Sequence, residues 1–204
     1  MRRGMHHIGL ATKDYDATVE FYTKIIGWEI AWQDLMKAPD GSVLMRHVFF
    51  DTGDGSYVAF AAPTPAMPGM PENWVTDINS GLGVPPHLYH FCFWCDSLDE
   101  LKQHQQLFRD RGAAVSEIMY HDTWQPGFVL RDPNGLLIEF GCTVRELTDD
   151  DKILRPRGFP TVPTHEGHPE LQARDAAIIL NLPEEEAMAA MNQYYDAAKS
   201  VPTA

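Results

Sequence analysis

The chain has 204 residues, enough to bury a sizeable core without disulfides. Its formal charge of −13 repels phosphate backbones and anionic headgroups, so nucleic-acid and membrane partners are not expected and a small-molecule substrate is. Hydrophobic residues at 44% and charged residues at 22% are those of an ordinary globular protein, and no apolar run has membrane-spanning length. The first residues lack a signal-peptide core, and Cys92, Cys95 and Cys142 are odd in number and sit in apolar runs. A cytoplasmic protein with free thiols is expected.

In chain order, Met5 to Ala11 alternates as a strand does, and Val19, Phe21, Tyr22, Ile25 and Ile26 then recur at helical spacing between a capping Asp14 and a terminating Gly27. Trp28 to Trp32, Leu44 to Asp51 and Tyr57 to Ala61 read as three strands, the last two joined by a turn around Gly53-Asp54-Gly55. Residues 1–62 thus form a βαβββ module. A Pro-, Gly- and Met-rich stretch, residues 63–87 with its preceding Ala62, reads as a linker or lid.

The pattern then repeats over residues 88–145. His90 to Asp96 is a strand; Ser97 and Glu100 have capping-box spacing, and Leu98, Leu101, Leu107 and Phe108 form a helical stripe before Gly112. Val115 to Tyr120, Phe128 to Arg131 and Leu136 to Cys142 are three further strands, with Asp132-Pro133-Asn134-Gly135 as the turn between the last two. Superimposing the repeats pairs His7 with His90, Gly27 with Gly112 and Ala59 with Glu139. The expected fold is α+β, two βαβββ modules paired into a curled mixed sheet around a cleft.

Residues 146–204 form a C-terminal extension, with helices expected near Glu170 to Leu180 and Pro183 to Lys199. Ala187, Met188, Met191, Tyr194, Tyr195 and Ala198 make one apolar stripe, expected to cover the outer face of the sheet.

A strand's period of two gives His7, Gly9 and Ala11 one face, His90, Cys92 and Trp94 another, and Leu137, Glu139 and Gly141 a third. If these faces line the cleft, two imidazoles and one carboxylate meet as a facial metal set with up to three positions open, a donor set suited to Fe(II) or Mn(II). His6 competes with His7 but is expected to point to the opposite face. Cys92 and Cys95 have C-x-x-C spacing, yet three residues along a strand they face opposite ways and are not expected to grip one ion.

His7-Ile8-Gly9-Leu10 with Asp14, Phe21-Tyr22 and Ile26-Gly27, then Tyr89-His90-Phe91, then Arg131-Asp132-Pro133-Asn134-Gly135 through Glu139, together resemble the vicinal oxygen chelate superfamily. That superfamily includes glyoxalase I, fosfomycin-resistance proteins, bleomycin-binding proteins and extradiol ring-cleaving dioxygenases. The resemblance covers about Met5 to Thr143 and implies one divalent metal ion held by His7, His90 and Glu139. It also implies a homodimer, which the apolar stripe of the tail would suit.

Glyoxalase-like isomerases and epimerases in this superfamily take a fourth ligand from the position of Ala59, whose methyl group cannot coordinate. Two histidines and one carboxylate match the extradiol dioxygenases, so an Fe(II) enzyme acting on a catechol-like ring is the leading expectation. The alternatives are a Lewis-acid isomerase, epimerase or thiol transferase using Mn(II), Zn(II) or Ni(II), and a bleomycin-type binding protein without turnover. By resemblance His121 would handle protons, with His47 standing in for an acid-base histidine absent near Ser56. Val129 stands where the dioxygenase pattern has Tyr, and it joins Trp94, Trp124 and Tyr57 as the expected substrate-facing residues.

Overall fold

The computed structural model describes residues 4–121, 124–154 and 169–199; side chains at 120, 121, 169–172 and 194–199 lie outside that description. Two compact units result: Met1–Val84 with Asp132–Leu136, and Pro85–Arg131 with Leu137–Ala204. Each carries one four-stranded mixed sheet.

In the first unit, β1 (His7–Ala11), β2 (Glu29–Lys37), β3 (Val43–Asp51) and β4 (Tyr57–Pro63) stand in the order β1-β4-β3-β2. β1 runs parallel to β4, and the other neighbours are antiparallel. Helix α1 (Tyr15–Glu20) starts where the Asp14 carboxylate accepts the Ala17 N–H at 3.0 Å. It continues as a π-helical turn, Phe21–Ile26, closed when Gly27 enters the left-handed region at φ 91° and donates to the Tyr22 carbonyl. Tyr22 is thereby buried, with its ring 5.4 Å from Trp28, 5.1 Å from Phe50 and 5.0 Å from Phe60. Its hydroxyl donates to Asp132 at 3.2 Å, and Asn134 Nδ2 reaches Thr18 at 3.2 Å, so the 132–136 turn is bonded into this unit.

The second unit repeats the plan. β5 (His90–Trp94), β6 (Met119–His121), β7 (Gln125–Arg131) and β8 (Leu137–Gly141) stand in the order β5-β8-β7-β6, with β5 parallel to β8. Helix α3 (Leu98–Asp110) is capped by Ser97, whose Oγ accepts the Glu100 N–H, while Glu100 reaches back to the Asp96 N–H. It lays Leu101 and Phe108 on one face of the sheet, where Phe108 meets Phe128 at 5.9 Å and Phe140 at 5.0 Å. Each such fully buried side chain contributes roughly 1.5–3 kcal/mol.

The repeat equivalence holds at the level of strand register. Gly9 stands opposite Ala59 in the first sheet as Cys92 stands opposite Glu139 in the second, and His7 and His90 open equivalent strands. Gly27 and Gly112 end equivalent helices at φ 91° and 88°.

Several elements differ from expectation. β2 runs five residues beyond Trp32, because an edge strand needs no apolar alternation where both faces are exposed. The expected strand at Val115 to Tyr120 is confined to Met119–His121. Val115 makes a lone bridge to Leu130, and the Ser116 carbonyl is taken by Gln105 and Arg109 side chains rather than by a ladder. The linker contains a short helix, α2 (Ile78–Leu82), capped by Asp77.

The tail forms two helices, α4 (Pro169–Leu180) and α5 (Glu184–Lys199), both in the second unit. Ala187, Met188 and Met191 of the predicted stripe pack on Ala176, Ile179 and Leu180, so α5 buries its stripe on α4; Tyr194, Tyr195 and Ala198 fall among the side chains not described. The expectation that the tail covers the outer face is corrected. Ile178 packs on Met119, Val129 and Leu137, the sheet face opposite to that covered by α3. No helix among the described residues is long and apolar enough to cross a membrane.

Candidate functional site

Within the second unit the ladder pairs His90 with Leu137, Cys92 with Glu139, Val129 with Glu139 and Gly127 with Gly141, so all these residues share one face. On it His90 Nε2 lies 3.2 Å from Glu139 Oε2, with the carboxylate side chain 3% exposed and the imidazole 41%. His90 Nδ1 is 3.3 Å from the His87 carbonyl. With Nδ1 as donor there, Nε2 is left to face the carboxylate, the orientation that metal-ligating histidines have when a carbonyl holds their other nitrogen. The bond to Glu139 holds the His90 imidazolium above its ordinary pKa of 6.5, against the opposing effect of desolvation.

Glu139 is placed by residues that the sequence did not single out. Gln125 Nε2 donates to Oε1 at 3.3 Å. A Cβ on Gly127 would stand 2.5 Å from that same oxygen and 3.0 Å from the Phe140 carbonyl, so only glycine leaves the carboxylate its position. The signal was present: extending β7 back to Gln125 puts Gln125, Gly127 and Val129 in alternation on the face of Glu139. Cys92 Sγ accepts from Gln125 at 3.7 Å, and burial followed by the Glu139 charge pushes its thiol up to about 12.

Of the other expected residues in this unit, Val129 is buried directly opposite Glu139, and Trp94, two residues beyond Cys92 on the open edge strand β5, is 67% exposed. Trp124 is half-buried in the turn before β7, where its carbonyl accepts from Val144. His121 pairs with Gln125 at the end of the β6–β7 ladder, and its side chain lies outside the described residues.

In the first unit His7 lies on the face that carries Tyr57, Ala59, Phe49 and His47. Its ring is 5.6 Å from Phe49, which meets His47 at 4.8 Å, Trp32 at 5.6 Å and Tyr57 at 6.4 Å. His47 Nδ1 is 3.8 Å from Asp34. The expected opposition of His6 and His7 is corrected: His6 precedes β1 in a bend, where the period of two does not apply. Its Nδ1 lies 2.8 Å from His7 Nδ1, and its ring is 5.7 Å from Tyr57. With His7 as the donor, the Nε2 of His7 keeps its lone pair.

The structure therefore brings His90 and Glu139 together in one unit and holds His7 in the other. Among the described residues no group of three His, Cys, Asp or Glu side chains is gathered to hold a metal ion.

Comparison with known proteins adds the family. The chain is 25% identical over 154 residues to 3-methylcatechol 2,3-dioxygenase of Pseudomonas putida, a match covering 75% of this chain and 46% of that protein, so it spans about half the relative's length. Among solved structures it resembles a glyoxylase/bleomycin resistance protein/dioxygenase domain from Frankia sp. EAN1pec, with a TM-score of 0.52, 16% identity and coverage of 70% of this chain and 93% of that one. An integron cassette protein from the Halifax Harbour sewage-outfall metagenome is similar, with a TM-score of 0.50, 20% identity and coverage of 69% and 99%. These structural likenesses agree with the fold. The family model described as the Glyoxalase/Bleomycin resistance protein/Dioxygenase superfamily matches residues 4–140, and the chain belongs to that superfamily.

Proposed function

We propose that this chain is a metal-dependent extradiol-type dioxygenase that holds Fe(II) through His7, His90 and Glu139 and cleaves a catechol-like ring. The observation that carries this reading is the approach of His90 Nε2 to Glu139 Oε2 on a face where Glu139 is otherwise walled in. A carboxylate so buried calls for a cation, and an imidazole nitrogen beside a carboxylate oxygen suits a divalent ion of borderline hardness. His7 is assigned as third ligand by its repeat equivalence to His90. Ala59, at the position equivalent to Glu139, leaves the set at two imidazoles and one carboxylate, which favours Fe(II) over a four-ligand isomerase site.

A bound Fe(II) would supply Lewis acidity to vicinal hydroxyls and electrons to dioxygen. The chain's own residues do the rest. Gln125 holds Glu139 Oε1, and Oε2, which faces His90, would turn to the ion. His121, from its ladder position beside Gln125, is assigned to take a proton from a substrate hydroxyl, with His47 as the second proton-handling group on the face of His7. Trp94, Trp124, Val129 and Tyr57 are assigned as substrate-facing; an aromatic ring suits the exposed indole of Trp94. The naming of the relative as a 3-methylcatechol dioxygenase supports the vicinal-diol class. Mn(II), Zn(II) and Ni(II) are the competing ions.

In this reading the protein works in the cytoplasm, where Cys92, Cys95 and Cys142 remain free thiols, and as a homodimer, a second copy covering the exposed Ile30, Trp32, Leu35 and Met36 of β2. The test loads apo protein with Fe(II) under anaerobic conditions, adds a panel of catechols and admits air. Oxygen uptake matched by a yellow ring-opened product is expected. No oxygen uptake with any catechol of the panel would count against the proposal, and turnover of a thiol adduct with Ni(II), Zn(II) or Mn(II) would move the chain to the Lewis-acid class.

A further inference from the structure

The helical tail lies beyond residue 140, where the family match ends, yet it packs on the face that carries Glu139. Leu137 is Glu139's neighbour two residues back on β8, and Val129 is its direct cross-strand partner. Ile178 of α4 joins both of them and Met119 in one buried apolar cluster. The helix is fastened in place. Arg131, which shares this face through its pairing with Leu137, donates from Nε to the Ile178 carbonyl at 2.7 Å and from Nη2 to the Ile179 carbonyl at 2.6 Å and the Pro86 carbonyl at 3.0 Å. A cation on the last carbonyls of α4 satisfies groups that a helix end leaves unpaired. Asp175, fully buried, accepts the Glu117 N–H, and Arg174 pairs with Glu117 at 2.8 Å.

On its other side Glu139 is bordered by the edge strand. His90, Cys92 and Trp94 along β5 are exposed, whereas Gly127 and Gly141 are buried beneath the Glu139, Cys92 and Gln125 side chains. Within this unit β5 thus borders Glu139 on its exposed side and α4 packs on the strand beyond it.

We infer that α4 is a fixed wall of the candidate site and that Ile178 is a specificity-determining residue, setting how bulky a ring substituent a catechol held at His90 and Glu139 can carry. The inference rests on the function proposed above and adds the limit on its substrate class: small, sparsely substituted catechols. One methylene in an apolar pocket is worth about tenfold or more in discrimination, so removing most of the Ile178 side chain should be readable in binding alone.

The experiment titrates Fe(II)-loaded, anaerobic protein with 4-nitrocatechol, whose absorbance changes as it loses its protons, and then displaces it with catechol and with 4-tert-butylcatechol. The readout is the ratio of the two displacement constants. Ile178→Ala is expected to shift the ratio toward 4-tert-butylcatechol by about tenfold, and Ile178→Phe to shift it the other way. Met191→Ala, which loosens the α4–α5 contact without touching the sheet, controls for general softening and should leave the ratio at the wild-type value. A ratio unchanged in Ile178→Ala, or shifted equally in Met191→Ala, overturns the wall while leaving the catechol reading intact. Failure of the wild-type protein to bind 4-nitrocatechol overturns the catechol reading, and the wall with it.

Discussion

Glu139 takes its place from glycine as much as from its own strand. Gly127→Ala would press a methyl group against Oε1 and the Phe140 carbonyl. The expected outcome in urea unfolding is a loss of about 1–3 kcal/mol, as for other overpacked cores, together with reduced metal content; wild-type values for both would show that the carboxylate has room elsewhere. Cys92 gives a second prediction at this scale. Its thiol, pushed up to about 12, holds far less thiolate at neutral pH than an unfolded cysteine. Iodoacetamide at pH 8 should alkylate Cys92 far more slowly in native protein than in urea, followed by mass spectrometry, although the residue is exposed. The meeting of His90 with Glu139 was legible, because alternation along neighbouring strands puts both on one face; Gln125 was not, since it lies outside the apolar run by which β7 was recognised. His6 was misread because a period of two holds only inside a strand, and β1 begins one residue later.

Among the elements, strands with strong apolar runs declared themselves. β3, β4 and β8 fall within two residues of expectation, and α3 was marked at its start by Ser97 and Glu100. What the sequence hid was partnership. Val115 to Ile118 has the composition of a strand, but Gln105, Arg109 and Asp175 take its backbone groups by side chains. The stripe on α5 was visible, whereas the face on which α4 would land was not, because that depends on Arg131 capping a helix 47 residues away. Arg131→Ala removes the latch. Losing charged donors to the α4 carbonyls should cost about 1.5–3 kcal/mol. Amides of α4 should then exchange with deuterium faster than those of α3, and unchanged protection of α4 would show that Ile178 and the α5 contacts hold it unaided.

For the whole molecule, the duplicated βαβββ plan was legible down to register, since each half repeats the order of one parallel and two antiparallel pairings. Duplication gives each unit a sheet that bears one histidine at the opening of its first strand, and only the second sets a carboxylate, Glu139, where the first has Ala59. The family supplies the frame; in the function proposed here the Ala59–Glu139 asymmetry leaves three protein ligands, and α4, from outside the family's span, is the wall inferred above. The chemistry proposed stands on whether one ion is bound per chain through these residues. Elemental analysis after anaerobic Fe(II) loading and desalting measures this directly, in wild-type protein and in His90→Ala and Glu139→Gln, with folding checked by circular dichroism. One iron per chain in the wild type and at least a tenfold weaker affinity in both variants is the predicted result, and equal iron content in all three folded proteins would contradict it.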